Sequence, residues 1–241
     1  MSLDISPQTA SPVSSRLLSP CPPLRFYLDS AEVSAWEAWL PTGLFYGVTC
    51  NPLLLARASV ACEVETLRRF ANQAFDLGAQ EVHLQAWGES ADDLLKIGQL
   101  LGAIDRRVVV KFPATQAGTT AAASLIRAGI PVTLTAVYAA RQVLIAAAIG
   151  ASYVAPYLGR MNDAGRDGRR EVATMQQMLT GVGSQTRVLT ASIRAIEDIS
   201  VLSVQGVDTF TFSEKIARAF FEVPATLKAT AEFEQAAKKA S

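Results

Sequence analysis

Eight times over, the chain alternates a short run of β-branched or aromatic residues with a longer amphipathic or Ala-rich stretch. The runs occupy 25–29, 46–50, 82–87, 108–112, 131–137, 153–158, 187–192 and 209–213. Helical stretches such as 63–77, 90–101, 119–128 and 170–179 lie between them. Short β-branched runs bounded by turn residues read as strands, and apolar residues three and four apart read as helices. Parallel strands need a crossover, usually a helix, so strict β-then-α alternation dictates a parallel sheet. Eight such units in about 200 residues predict an α/β fold, a (β/α)8 TIM barrel. An open doubly wound sheet is the competing topology, but no GxGxxG follows the first run. A last helical stretch, 224–239, is additional to the eight units. It is spare for the barrel, and so is available to cover a mouth or to bind a neighbouring subunit.

The 241 residues, 50% of them hydrophobic, suffice for one large core. The expected organisation is a disordered tail at 1–23, a catalytic barrel at 24–222 and an inter-subunit helix at 223–241. The tail is rich in Ser and Pro without periodicity. It lacks the apolar core of a secretory signal and has few arginines for a transit peptide. Lys plus Arg and Asp plus Glu both number 22, so the net charge is zero. A nucleic-acid groove or an anionic membrane partner leaves a basic excess, so neither is expected. No apolar run approaches the ~20 residues of a membrane span. Three cysteines, Cys21, Cys50 and Cys62, show no CxxC spacing. They read as free thiols in a reducing, cytoplasmic setting. The single histidine, His83, argues against a His-rich metal site and a Ser-His-Asp triad, and reads as structural.

In a (β/α)8 barrel the active site lies at the C-terminal ends of the strands. Those ends carry Asp29, Thr49 and Asn51, Gln85, Lys111, Thr133 and Thr135, Tyr157 and Arg160, then Ser192 and Arg194. A barrel filled only for packing uses Val, Ile and Leu there. Lys111 follows three valines and precedes Phe112 and Pro113. Side chains alternate along a strand, so Val109 and Lys111 share the face predicted to point inward, and Val110 and Phe112 the face toward the helices. Burial lowers the pKa of a lysine, and the neutral amine attacks a ketone to form a Schiff base. The plainer alternative is a strand-end lysine that snorkels to water. Asp29 has two readings, an acid/base group and an N-cap for the helix opening near Ser30. Arg160 and Arg194, with Ser192, fit a phosphate clamp, against surface arginines as the plain alternative. The threonines Thr133 and Thr135 fit packing as well as binding. Gly159 suggests a tight turn before Arg160.

Taken in order, these segments resemble the transaldolase family, especially its small-subunit branch with the fructose-6-phosphate aldolases. The matching motifs are Phe26-Tyr27-Leu28-Asp29-Ser30, Gly47-Val48-Thr49-Cys50-Asn51-Pro52, Val110-Lys111-Phe112-Pro113, Thr135-Ala136-Val137-Tyr138, Tyr153-Val154-Ala155-Pro156-Tyr157 and Ala191-Ser192-Ile193-Arg194. The resemblance implies a Schiff base on Lys111, acid/base work by Asp29, and a substrate contact from Asn51. It puts phosphate on Arg160, Ser192 and Arg194, and a catalytic water on Gln85 and Thr135. Gln85 stands where transaldolases usually carry Glu, and Tyr157 where they carry Phe; both are aldolase-like. Two departures are Cys50 in place of the usual Thr, and Trp87, a large residue that would narrow the pocket. The branch often forms decamers through its C-terminal helix, so a homo-oligomer, pentameric or decameric, is expected.

The implied chemistry is Schiff-base aldol cleavage of fructose 6-phosphate to dihydroxyacetone and glyceraldehyde 3-phosphate. The alternative is the pentose-phosphate transaldolase reaction, which passes the three-carbon unit to an aldehyde. A non-catalytic sugar-phosphate-binding barrel is the remaining alternative. No metal or other cofactor is implied, because an iminium is already the electron sink.

Overall fold

The structure, a computed structural model, describes residues 24–240; the expected tail at 1–23 lies outside them. Eight strands, β1 (Arg25–Asp29), β2 (Gly47–Thr49), β3 (Glu81–Gln85), β4 (Val108–Pro113), β5 (Val132–Val137), β6 (Tyr153–Pro156), β7 (Arg187–Thr190) and β8 (Thr209–Phe212), form a closed barrel in sequence order. Every pairing is parallel, and β8 closes on β1 through the register Tyr27↔Thr211. The chain is thus a (β/α)8 TIM barrel, followed by a helix at Pro224–Ala240.

Alternation divides each strand between two cores. Val110 and Phe112 belong to the main core between sheet and helices. The fit is close there: a Cβ on Gly98 of the helix Ala91–Gly102 would stand 2.5 Å from Phe112 Cζ. Inside the barrel, Tyr27, Val109, Tyr153, Ala155 and Leu189 form a second, smaller cluster. Their companions on the inward positions are polar, which is unusual for a barrel interior.

The floor of that interior is one hydrogen-bonded cluster. Tyr27 and Tyr153 hydroxyls each donate to Glu81 Oε2 at 2.7 Å. Arg25 reaches Glu81 Oε1 at 3.3 Å, and also bonds the Tyr153 hydroxyl. His83 lies 3.3 Å from Glu81 and 3.0 Å from the Thr133 hydroxyl. Burial opposes charge on Glu81, but bonds from His83, Tyr153 and Tyr27 outweigh it and hold the carboxyl down at about 2. Burial also lowers the pKa of His83. A neutral His83 then donates from Nε2 to Glu81 and accepts from Thr133 at Nδ1. His83 is structural, as the sequence suggested.

Helices begin where side chains satisfy their first N–H groups. Ser90 and Asp93 form a capping box for the helix Ala91–Gly102, and Thr115 accepts from Gly118 N at 3.1 Å to start Gln116–Arg127. The third strand begins at Glu81 and ends at Gln85, displaced from the expected 82–87. Glu81, one residue before the expected run, carries the carboxylate that is the hub of the floor. Two short helices, Pro52–Arg57 and Leu158–Asp163, were not legible in the sequence. They follow β2 and β6 and build the rim of the C-terminal mouth.

Candidate active site

The C-terminal mouth holds a cavity of about 480 Å³, a size suited to a small ligand. Its walls include Asp29, Asn51, Arg57, Gln85, Lys111, Thr135, Tyr138, Tyr157, Arg160, Ser192 and Thr211. Most of the expected residues therefore meet at one place.

Lys111 is 6% exposed, so it does not snorkel. Its Nζ donates to the carbonyl oxygen of Cys50 at 2.9 Å. That bond leans the amine toward the β2 side of the mouth. Cys50 itself turns its side chain into the main core. Burial raises its thiol pKa to about 12, although the Lys111 charge pulls the other way. The exchange of Thr for Cys at this position thus changes packing behind the sheet and leaves the cavity wall alone.

Asp29 caps no helix, because the helix after β1 spans Val33–Trp39 with Glu32 at its N-cap. Its Oδ1 instead accepts from Thr49 Oγ1 at 2.8 Å. Thr49 Oγ1 lies 2.6 Å from Thr211 Oγ1. Since Thr49 gives its proton to Asp29, Thr211 must donate to Thr49. Burial pushes the Asp29 carboxyl above its ordinary range, against the Lys111 charge and the Thr49 bond.

Gln85 is fixed at both ends of its amide. Nε2 donates to the carbonyl oxygens of Lys111 at 3.0 Å and Ala86 at 3.2 Å. Oε1 accepts from Thr135 at 3.1 Å. Asn51 caps the helix Pro52–Arg57, its Oδ1 accepting from Leu53 and Leu54 N–H groups. Its Nδ2 is left as the donor for a ligand.

On the opposite wall, Arg160 donates to the Tyr138 hydroxyl at 3.3 Å, and its guanidinium carbon stands 5.2 Å from the Tyr157 ring centroid. Ser192 has a left-handed φ of 59° and Ala136 one of 55°. Both line the cavity, where a strained backbone conformation re-aims the chain at the end of a strand. Gly159 lies in a helix, not in the expected turn. Glycine is required there by close approach: a Cβ would stand 2.4 Å from Ser192 O.

Four residues singled out in the sequence lie off the cavity wall. Thr49 and Thr133 are fully buried and are not on the cavity wall. Thr49 supports Asp29, and Thr133 is tied to His83 one layer lower. Arg194 is not on the wall either; its guanidinium pairs with the Asp163 carboxylate. Trp87 does not narrow the pocket, because it packs against the main core beyond the end of β3. Conversely, Thr211, Tyr138 and Arg57 line the cavity without having been anticipated. Thr211 was readable from Thr209-Phe210-Thr211-Phe212, whose alternation puts both threonines on one face. Nothing in the sequence alone marks Arg57.

A larger cavity, about 900 Å³, opens at the N-terminal end of the barrel. Its two arginines are matched by acids, Arg25 by Glu81 and Arg187 by Asp208, and no lysine lines it. Among the described residues no group of three His, Cys, Asp or Glu side chains is placed to hold a metal ion. No helix among them is long and apolar enough to cross a membrane.

Fold and cavity together define a (β/α)8 barrel with a buried lysine in the cavity at its C-terminal mouth. The family described as transaldolase/fructose-6-phosphate aldolase matches residues 26–241, and the chain belongs to that family. A probable transaldolase from Lysinibacillus sphaericus (strain C3-41) is 31% identical over 208 residues, 85% of this chain and 93% of that protein. One from Kosmotoga olearia is 32% identical over 210 residues, covering 87% and 94%. Among solved structures, a flavocytochrome b2 variant with sulfite bound superposes with a TM-score of 0.53 at 15% identity. The match covers 82% of this chain and 62% of that one. A thiamine phosphate pyrophosphorylase from Pyrococcus furiosus gives 0.52 at 16% identity, covering 79% and 85%. At such identities these likenesses concern the barrel alone.

Proposed function

We propose that this enzyme cleaves ketose phosphates through a Schiff base on Lys111, taking fructose 6-phosphate to dihydroxyacetone and glyceraldehyde 3-phosphate. The observation that carries the reading is the pairing of Lys111, buried and aimed into the cavity, with Asp29 as the lining carboxylate. The amine adds to C2 and water leaves. Asp29 takes the C4 hydroxyl proton as C3–C4 breaks, and the electron pair is held as an enamine on Lys111. Arg160 and Ser192 bind the phosphate of the departing aldehyde. A water held by Gln85 and Thr135, with Tyr157, returns a proton to C3, and water then hydrolyses the imine to free dihydroxyacetone and Lys111. An amide at position 85 cannot act as a base, which leaves the phenol to move the proton.

The second reading keeps the same enamine but passes it to an aldehyde acceptor, as the name transaldolase of the relatives implies for them. Borohydride trapping with dihydroxyacetone tests the shared step. A stable adduct forms on Lys111 and is absent from Lys111→Met; no adduct in the parent protein removes both readings.

We also propose that residues 24–222 work as the catalytic barrel and that the helix Pro224–Ala240 seats on a second copy of the chain. Along that helix Leu227 is 60% exposed and Phe233 71% exposed, apolar area that a partner copy would cover. A monomer at micromolar concentration in light scattering overturns this assignment.

A further inference from the structure

Side-chain alternation slips at the end of β5. Leu134 belongs to the main core and Thr135 lines the cavity. A strict two-residue period would then send Val137 inward and Tyr138 out to the helices. The register between β5 and β6 instead shifts between Leu134 and Val137, and Ala136 there has its left-handed φ of 55°. Thr135 and Ala136 both line the cavity, Val137 is buried in the main core, and Tyr138 reaches the cavity wall. An irregularity of this kind re-aims a side chain next to a site. The backbone beyond it is clamped. Gln142 Oε1 accepts from the N–H groups of Tyr138 and Ala139, each at 2.9 Å, and Arg166 donates to Tyr138 O.

Tyr138, Tyr157 and Arg160 close a triangle on the cavity wall. The two rings meet edge to face with centroids 5.6 Å apart. The Arg160 guanidinium carbon stands 5.2 Å from the Tyr157 ring centroid, and Arg160 Nη1 donates to the Tyr138 hydroxyl oxygen at 3.3 Å. A phenol that accepts a hydrogen bond keeps one O–H to give. Among the described residues no oxygen accepts from the Tyr138 hydroxyl. Its proton is therefore free for a ligand that comes up to the same guanidinium.

We propose that Tyr138 is a further phosphate-binding residue, its hydroxyl oxygen holding the Arg160 guanidinium while its O–H donates to the same phosphate. This rests on the reading that places the substrate phosphate at Arg160 and Ser192. A long, exposed side chain such as Arg160 loses rotamer freedom when it binds. A partner that holds it beforehand lowers that cost. The phosphate then gains a neutral donor beside the charged one. The plainer role of Tyr138 is packing, since its ring also lies against the main core. Phenylalanine fills that role equally well, so removal of the hydroxyl alone separates the two.

The test is borohydride trapping on Lys111 in the full chain, titrating fructose 6-phosphate against fructose. Adduct is counted per site that dihydroxyacetone can trap, so that misfolded protein does not enter the result. In the parent protein the phosphorylated sugar should reach half-maximal adduct at a concentration about a hundredfold lower or more, roughly tenfold for each of two hydrogen bonds to a charged group. Tyr138→Phe should remove about tenfold of that preference, and Arg160→Ala at least as much. A preference unchanged in Tyr138→Phe but reduced in Arg160→Ala overturns the proposal and leaves the Arg160 site standing. Equal weakening of both sugars in Tyr138→Phe also overturns it, because packing alone then accounts for the residue. No preference in the parent protein overturns the phosphate reading together with the proposal. No adduct from dihydroxyacetone or either sugar overturns the Schiff base itself.

Discussion

Thr49 Oγ1 donates to Asp29 Oδ1 at 2.8 Å, and this is the bond through which the barrel wall holds the carboxylate. Burial pushes the Asp29 carboxyl up and the Thr49 bond partly opposes that. In the proposed reaction, proton uptake from the C4 hydroxyl needs the ionised form. The acid limb of kcat/KM should therefore lie above the ordinary carboxylate range, and move to still higher pH in Thr49→Val. Asp29→Asn should lose about 10²–10⁴-fold in rate, the usual worth of a positioned acid/base group. An acid limb that stays in place in Thr49→Val would sink the assignment.

The same shift has a sign for stability. A carboxyl whose folded pKa is raised favours the folded state below its unfolded value, and that contribution is lost as pH rises through the folded value. Asp29→Asn should gain melting temperature relative to the parent as pH rises. Thermal scans of both proteins across the pH range measure it, and a difference that does not change with pH counts against a raised Asp29.

The floor of the barrel behaves oppositely. Glu81 is held at about 2, below its ordinary 4.5, so its stabilisation is present above 4.5 and is lost as pH falls toward 2. Glu81→Leu leaves the groups around it without their acceptor and should cost about 3–5 kcal/mol at neutral pH. Denaturant unfolding at pH 7 and pH 3 should show the penalty shrinking in acid; an equal penalty at both values contradicts the network described.

In the proposed reaction the fate of the enamine turns on two side chains. Gln85→Glu supplies a carboxylate beside Thr135, and Tyr157→Phe removes the phenol. Each should shift product partitioning toward transfer, measured as free dihydroxyacetone formed from fructose 6-phosphate with and without erythrose 4-phosphate. An unchanged ratio in both variants removes this account of the split between hydrolysis and transfer.

Close approach makes Gly159 a sensitive position. A methyl group there would meet Ser192 O at 2.4 Å and Ser192 Oγ at 3.0 Å. Gly159→Ala should raise KM for phosphorylated substrates by about tenfold, through displacement of one phosphate donor, with little change for unphosphorylated dihydroxyacetone. Parallel loss on both substrates would mean that the barrel itself had moved.

The barrel was legible because alternation of strand and helix leaves few topologies for eight units. The inward face of β4 was legible because only one face of Val109-Val110-Lys111-Phe112 suits a helix layer. The pairing of Arg194 was not legible for a reason that sequence does not contain. Asp163 lies 31 residues away, and its carboxylate claims the guanidinium. Thr49 and Thr133 were placed on the right strand faces but at the wrong depth. A two-residue period reports side and not height. The short helices after β2 and β6 have no full turn pattern of their own, so Arg57 came into view only with the fold.

Thr211 stands on the last strand, Asp29 on the first, and Thr49 joins them across a sequence separation of 162 residues between the two threonines. The hydrogen-bond chain that reaches Asp29 is therefore finished by the segment of the barrel that leaves the ribosome last. A chain stopped before β8 keeps Asp29 beside Thr49 on neighbouring strands but lacks the Thr211 hydroxyl that completes the chain of bonds, and the late arrival of such long-range contacts slows folding. The cavity that Lys111 and Asp29 share is therefore complete only when the seam between the first and last strands closes.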